Sequence, residues 1–199
     1  MRLSSVLCFL TLAAVPLPAQ YFPAGVFDKT PQKDESAANY YGKFLKALHE
    51  PSLWELSRQK PEAEVYRFLW LRTFHRPIAI RLVVRKSGSG WINSHMTSGK
   101  GGDQPGRITQ YSVSWLTKNR TQSFLMKLGS VDFWHLPTYA SDQNQAKPDG
   151  AHWVVEGVKD GQYHLIERWS PELPDPVREI GLLALKLGRI RGLRPDQIY

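Results

Sequence analysis

The chain reads as a single α+β domain: an antiparallel sheet of about five or six strands with helices packed on one face. Three observations predict this class. In "PIAIRLVVRK" (77–86), Ile78, Ile80, Leu82 and Val84 line one face while Ala79, Arg81, Val83 and Arg85 line the other. That split marks a sheet with one packed side and one wetter side. Asp160-Gly161 lies between two β-rich runs, a strong hairpin signal. Apolar residues at helical spacing open and close the domain, in Tyr41, Phe44, Leu45 and Leu48 and again over 175–190. No repeat or second-domain linker interrupts the order α-α-β-β-β-β-α-β-β-α, so residues 36–199 are expected to form one unit.

The elements follow in order. "MRLSSVLCFLTLAAVPLPA" (1–19) has the form of a secretory signal, with Arg2 as the positive region and 6–15 as the apolar region. Leu17 and Ala19 precede the expected cleavage at Gln20. The expected product is exported, periplasmic or extracellular, and unlipidated. Cys8 is the only cysteine and would leave with the signal. The mature chain then has no disulfide, and Cys nucleophiles, Cys-zinc sites and thiol redox motifs are excluded. Residues 20–35 carry turn-type breakers without periodicity and read as an extended or disordered leader. After the first helix, Ser52 and Glu55 have capping-box spacing behind Pro51, starting a short helix that reaches about Arg58.

Strands are expected at 64–74 and 77–86, and after "SGSG" (87–90) at 91–97. A two-residue loop there would mix the faces. A three-residue or bulged loop sets Val84 by Ile92 and Ile80 by Met96, and is preferred. "SGKGGDQPG" (98–106) reads as a flexible loop, 107–115 as a strand, and 117–129 as a helix with a glycine stop. A loop at 138–150 precedes the Asp160-Gly161 hairpin, whose two-residue turn pairs Val158 with Tyr163, Val155 with Ile166 and Trp153 with Arg168. The closing helix spans 175–190.

The hairpin raises one catalytic possibility. His152 and His164 fall on opposite faces, so this element alone cannot bring them to one metal. Glu156 and Glu167 share a face as diagonal neighbours roughly 7–8 Å apart, a spacing that suits an acid–base pair. With His164 they define the alternative reading, a glycan-directed hydrolase. The competing expectation is that each Glu is neutralised by Arg or backbone amides, because Val154, Val158, Tyr163, Leu165 and Trp169 make that face core-like.

Other chemistries find less support. Ser89 lies in "SGSGW", which lacks the G-x-S-x-G elbow. His49, His75, His95, His135, His152 and His164 show no metal-ligand spacing. No metal or cofactor is implied. "SGKGG" lacks the phosphate-loop frame, although its glycines and Lys100 could form an anion-binding nest. Net charge is +8, from 26 Lys and Arg against 18 Asp and Glu. The basic residues are scattered except in "KLGRIRGLR" (186–194), read as a solvated helix end, so nucleic acid is not the expected partner. Most of Trp54, Trp70, Trp115, Trp134, Trp153 and Trp169 are assigned to the core.

The best binding candidate is the non-core face of the 77–97 hairpin. The preferred register sets Arg81 across from His95, Val83 from Asn93 and Arg85 from Trp91. Arg81, Arg85, Trp91, Asn93 and His95 would then offer guanidinium, indole, amide and imidazole groups to an anionic or glycan-type ligand of the cell envelope, or to a protein partner. "FWHLPTY" (133–139), "DGAHWVVEG" (149–157), "YHLIERWSP" (163–171) and the final apolar helix resemble a family of uncharacterised secreted bacterial proteins. A weaker echo lies in "YRFLWLRTFHRPIAIRL" (66–82). The resemblance covers about the last third of the chain. It implies a bacterial exported protein, without an activity or site residues. The expected function is therefore a non-enzymatic, exported binding domain.

Overall fold

The structure, a computed structural model, describes residues 20–140 and 149–199. The expected signal segment lies outside the described residues. Four α-helices, α1 (Pro31–Ala47), α2 (Leu53–Gln59), α3 (Lys118–Ser130) and α4 (Pro176–Gly188), accompany six strands. These are β1 (Glu64–Arg72), β2 (Ile78–Val84), β3 (Gly90–Thr97), β4 (Ile108–Leu116), β5 (Ala151–Lys159) and β6 (Gln162–Trp169). They form one sheet in the order β4-β3-β2-β1-β5-β6, antiparallel throughout. The α+β class of the sequence reading holds.

The helices differ from expectation in one respect: they pack against both faces of the sheet. Alternate side chains of β1 explain why. Tyr66, Phe68 and Trp70 join Trp153, Ile180 and Ala184 in the core under α3 and α4. Leu69 and Leu71 join Phe44, Leu45 and Leu48 of the α1 segment on the other side. Every residue of β1 after Glu64 is buried, which suits a strand in the middle of a two-sided sheet. Gly181 makes this layering possible: a Cβ there would lie 2.5 Å from two ring atoms of Trp153.

Local turn chemistry sets the hairpins. Asp160 and Gly161 both have positive φ, 51° and 73°, the type I′ geometry whose twist matches paired strands. The predicted pairs follow, Val158 with Tyr163 through His152 with Trp169. The β2–β3 loop has three residues, as preferred, but it begins one residue earlier. Arg85 and Ser89 close it with a 2.8 Å backbone bond, and Gly88 takes the left-handed position at φ 80°. Gly90 is thereby a strand residue. The expected Val84–Ile92 and Arg81–His95 pairs are replaced by Leu82–Ile92, Arg81–Asn93 and Ala79–His95. A two-residue shift preserves face parity, so the separation of sides survives the correction.

The 20–35 segment also departs from the leader expected there. Phe22 and Phe27 are buried against Tyr41, and helix α1 already begins at Pro31. Asp34 draws the segment down by accepting backbone N–H bonds from Gly25, Phe27 and Asp28. The 98–106 loop, expected to be flexible, is tied to the β1–β2 turn. Gly101 N donates to the Arg72 and His75 carbonyls, and Gly102 N donates to Thr73. Glycine is needed at 101 because a Cβ would stand 2.5 Å from the Arg72 nitrogen.

Candidate functional site

Helix α1 ends in a Schellman turn. His49 takes the left-handed conformation at φ 56°, its N–H bonds Lys46 O, and Glu50 N–H bonds Leu45 O. This turn drives the Glu50 side chain under the sheet. There one Glu50 oxygen meets Arg81 Nε at 2.8 Å and Arg67 Nη1 at 3.5 Å, while the other lies 3.1 Å from His95 Nδ1. His95 Nδ1 also faces the Leu48 carbonyl. Both neighbours are acceptors, so Nδ1 carries a hydrogen. Burial works to raise the Glu50 carboxyl, but His95, Arg67 and Arg81 outweigh it and hold it at about 2.

This network reaches the hairpin carboxylate as well. Arg67 Nε donates to Glu156 at 2.7 Å, and the Tyr163 hydroxyl donates to the same carboxylate at 2.9 Å. Glu156 is fully buried, and burial pushes its carboxyl up against the pull of Arg67. Glu167 engages His152 Nδ1 at 2.8 Å. His164 lies across the sheet from both carboxylates, with its ring against Phe133 and Trp134. Glu156, Glu167 and His164 therefore do not converge on one substrate position. Among the described residues, no group of three His, Cys, Asp or Glu is placed to hold a metal ion.

The binding candidate is brought together, in altered form. Arg81, Trp91, Asn93 and His95 share the face opposite α3 and α4, as the cross-strand pairs Arg81–Asn93, Val83–Trp91 and Ala79–His95 require. Arg85 stands just beyond β2 with its guanidinium 5.3 Å from the Trp115 ring. Two of the five groups are compromised as ligand contacts. Arg81 is paired with Glu50, and His95 is only 4% exposed. The sequence register could not reveal this, because Glu50 arrives from outside the hairpin.

Edge strand β4 adds residues that the sequence reading missed. Trp115 pairs across from Trp91 and Tyr111 from His95. Trp91 and Trp115 meet edge to face at 4.9 Å and are 42% and 44% exposed, while Tyr111 is 62% exposed. Val113 lies between them, also exposed. In "ITQYSVSW" the apolar side of the strand is thus the one facing water, and the Gln110-Ser112-Ser114 side is the more covered. Alternation in a strand separates its two sides without saying which one is inward. Trp115 is thus a surface residue, an exception among the tryptophans expected mostly in the core. Trp70 and Trp153 are fully buried.

At one end of this aromatic strip lies a cavity of about 370 Å³, lined by His49, Arg81, Asn93, His95, Ile108 and Tyr111. His95 Nε2 is buried there without a hydrogen-bond partner among the described residues. The Trp91–Trp115 pair is four residues further along the strands, roughly 13 Å away. The arrangement can stack flat apolar surfaces and donate hydrogen bonds at one end. No family model matches this chain, and no curated protein matches it.

Proposed function

We propose that the protein is an exported, non-enzymatic binding domain that takes a glycan of the cell envelope along the open face of β2, β3 and β4. The observation carrying this reading is the Trp91–Trp115–Tyr111 strip, exposed on a sheet whose other apolar faces are covered. Exposed apolar area of this kind is costly unless it meets a partner, and aromatic rings with a polar tip serve such contacts at low entropic cost. Sugar rings present apolar faces to indole and hydroxyls to neighbouring polar groups. Asn93 and His49 supply the latter at the cavity, and Arg85 supplies a cation for an acidic sugar. Arg81 contributes less charge than its sequence position suggests, so ring stacking dominates over anion attraction. His49 holds a left-handed backbone at the mouth of the cavity, the kind of cost that gathers at binding sites.

An array of neutral and uronic-acid oligosaccharides, probed with chain lacking residues 1–19, tests the proposal. The expected result is selective binding that the Trp91→Ala/Trp115→Ala variant weakens by roughly tenfold or more. Unchanged binding in that variant would refute the site. A second reading rests on the edge itself. Strand β4 ends the sheet, spans nine residues and contains neither proline nor charge, the usual guards of an edge. A protein partner adding a strand there would hide the same aromatics. A blank array would favour that reading.

A further inference from the structure

A second cavity, of about 470 Å³, opens on the other side of the sheet between the β1–β2 turn, the start of the 98–106 loop and the segment after α4. Its charged lining is one-sided. Arg72, Arg76, Lys100 and Arg191 line it together with His75, and among the described residues no carboxylate does.

Arg72 is the decisive group. It is 2% exposed, and its guanidinium stacks on Trp70 at 4.1 Å. Nη1 donates to the Gln197 carbonyl at 3.3 Å and Nη2 to the Arg76 carbonyl at 3.0 Å, while Nε has no partner among the described residues. Carbonyls orient the fork but do not cancel its charge. The two other arginines buried among the described residues contrast with it: Arg67 meets Glu50 and Glu156, and Arg168 has Asp175 at 3.8 Å. A buried guanidinium without a counter-ion is expensive and is expected to acquire one. Burial lowers Arg72 to about 10, and His75 is pulled down by burial and then by Arg72 and Arg194. Asp196, the carboxylate that acts on His75, is held by Arg194 at 3.0 Å.

We infer that this cavity binds a phosphate ester, with its oxyanion held by Arg72, Arg76, Lys100 and Arg191. Four permanent cations suit a dianion better than a single carboxylate, and the guanidinium fork matches phosphate oxygens. Ile78, Met96, Ile190 and Leu193 also line the cavity and give the organic part of the ester an apolar wall. The loop does not act as a backbone nest. Its N–H groups at Gly99, Lys100, Gly101 and Gly102 already bond Pro105, Gln104, Arg72 and Thr73 carbonyls. Its role is to carry Lys100 into place. This site is independent of the glycan face.

Calorimetry on chain lacking residues 1–19 tests the inference with inorganic phosphate, phenyl phosphate and benzoate, and with vesicles of phosphatidic acid against phosphatidylcholine. Phenyl phosphate is expected to bind more tightly than either inorganic phosphate or benzoate. The Lys100→Ala/Arg191→Ala variant, changed only at exposed side chains, should lose about tenfold in affinity. The Arg72→Met variant should lose more, and if it does not fold the exposed pair still decides. Selective binding to phosphatidic acid vesicles identifies a lipid source, and binding of phenyl phosphate alone identifies a soluble ester. Equal binding of benzoate, absence of binding, or affinity unchanged in the exposed pair would overturn the assignment. The Trp91→Ala/Trp115→Ala variant should bind phenyl phosphate as the unmodified chain does, so failure of the glycan reading is seen separately.

Discussion

Glu50→Gln removes one charge from the network that Glu50 forms with Arg67, Arg81 and His95 while keeping the side-chain volume. The Glu50 carboxyl falls from an ordinary 4.5 to about 2 in the folded chain. At about 1.4 kcal/mol per unit, that difference amounts to about 3 kcal/mol of stability. The figure agrees with the roughly 3–5 kcal/mol lost when one partner of a buried ion pair is removed. Because the folded value lies below the unfolded one, the stabilisation is whole above about pH 4.5 and is lost as the pH falls toward about 2. The glutamine variant lacks this dependence. Urea unfolding, followed by the fluorescence of buried Trp70 and Trp153, should separate the two proteins by about 3 kcal/mol near neutral pH. The gap should close toward zero as the pH approaches about 2. In a thermal melt it corresponds to ~6–12 °C for a chain of this size. A gap under about 0.5 kcal/mol near neutrality, the scale of an ordinary surface change, would refute the network. So would a gap that stays constant down the acid range.

Three further outcomes follow from the backbone and the core. Gly181→Ala should cost about 1–3 kcal/mol in urea unfolding, because the new Cβ would meet Trp153 ring atoms at 2.5 Å and Phe68 at 2.9 Å. Gly161→Ala should cost about 1 kcal/mol, since φ 73° strains any side chain while its surroundings leave room. His49→Gly should raise the melting temperature, relieving about 1 kcal/mol at the left-handed position that ends α1. The same change removes a cavity side chain, so weaker glycan binding in a more stable protein would separate a binding role from a structural one.

The β5–β6 hairpin was legible residue by residue, because Asp-Gly selects one turn and the turn sets the register. The β2–β3 hairpin was legible in face and loop length but not in register. Both Gly88 and Gly90 could have supplied the left-handed residue, and only Gly88 does so. The leader was misread because its signal is two aromatics, Phe22 and Phe27, whose burial depends on Tyr41 in a helix that periodicity alone did not connect to them. Alternation alone places Trp91 and Asn93 on the side of β2 and β3 opposite α3 and α4. Tyr111 and Trp115 lie outside the hairpin from which that side is read, on a neighbouring strand whose apolar side turns to water.

Order along the chain determines which residues share a side of each strand and which turns join neighbouring strands, since the two-residue period and the turn dihedrals are local properties. Tertiary structure decided everything that depends on what docks from afar. It placed β1 at the centre, brought Glu50 to Arg81, left the aromatic side of β4 to solvent, and enclosed Arg72 with cations. Those outcomes turn on which distant segment covers a given face, and a strand's own residues do not identify that segment.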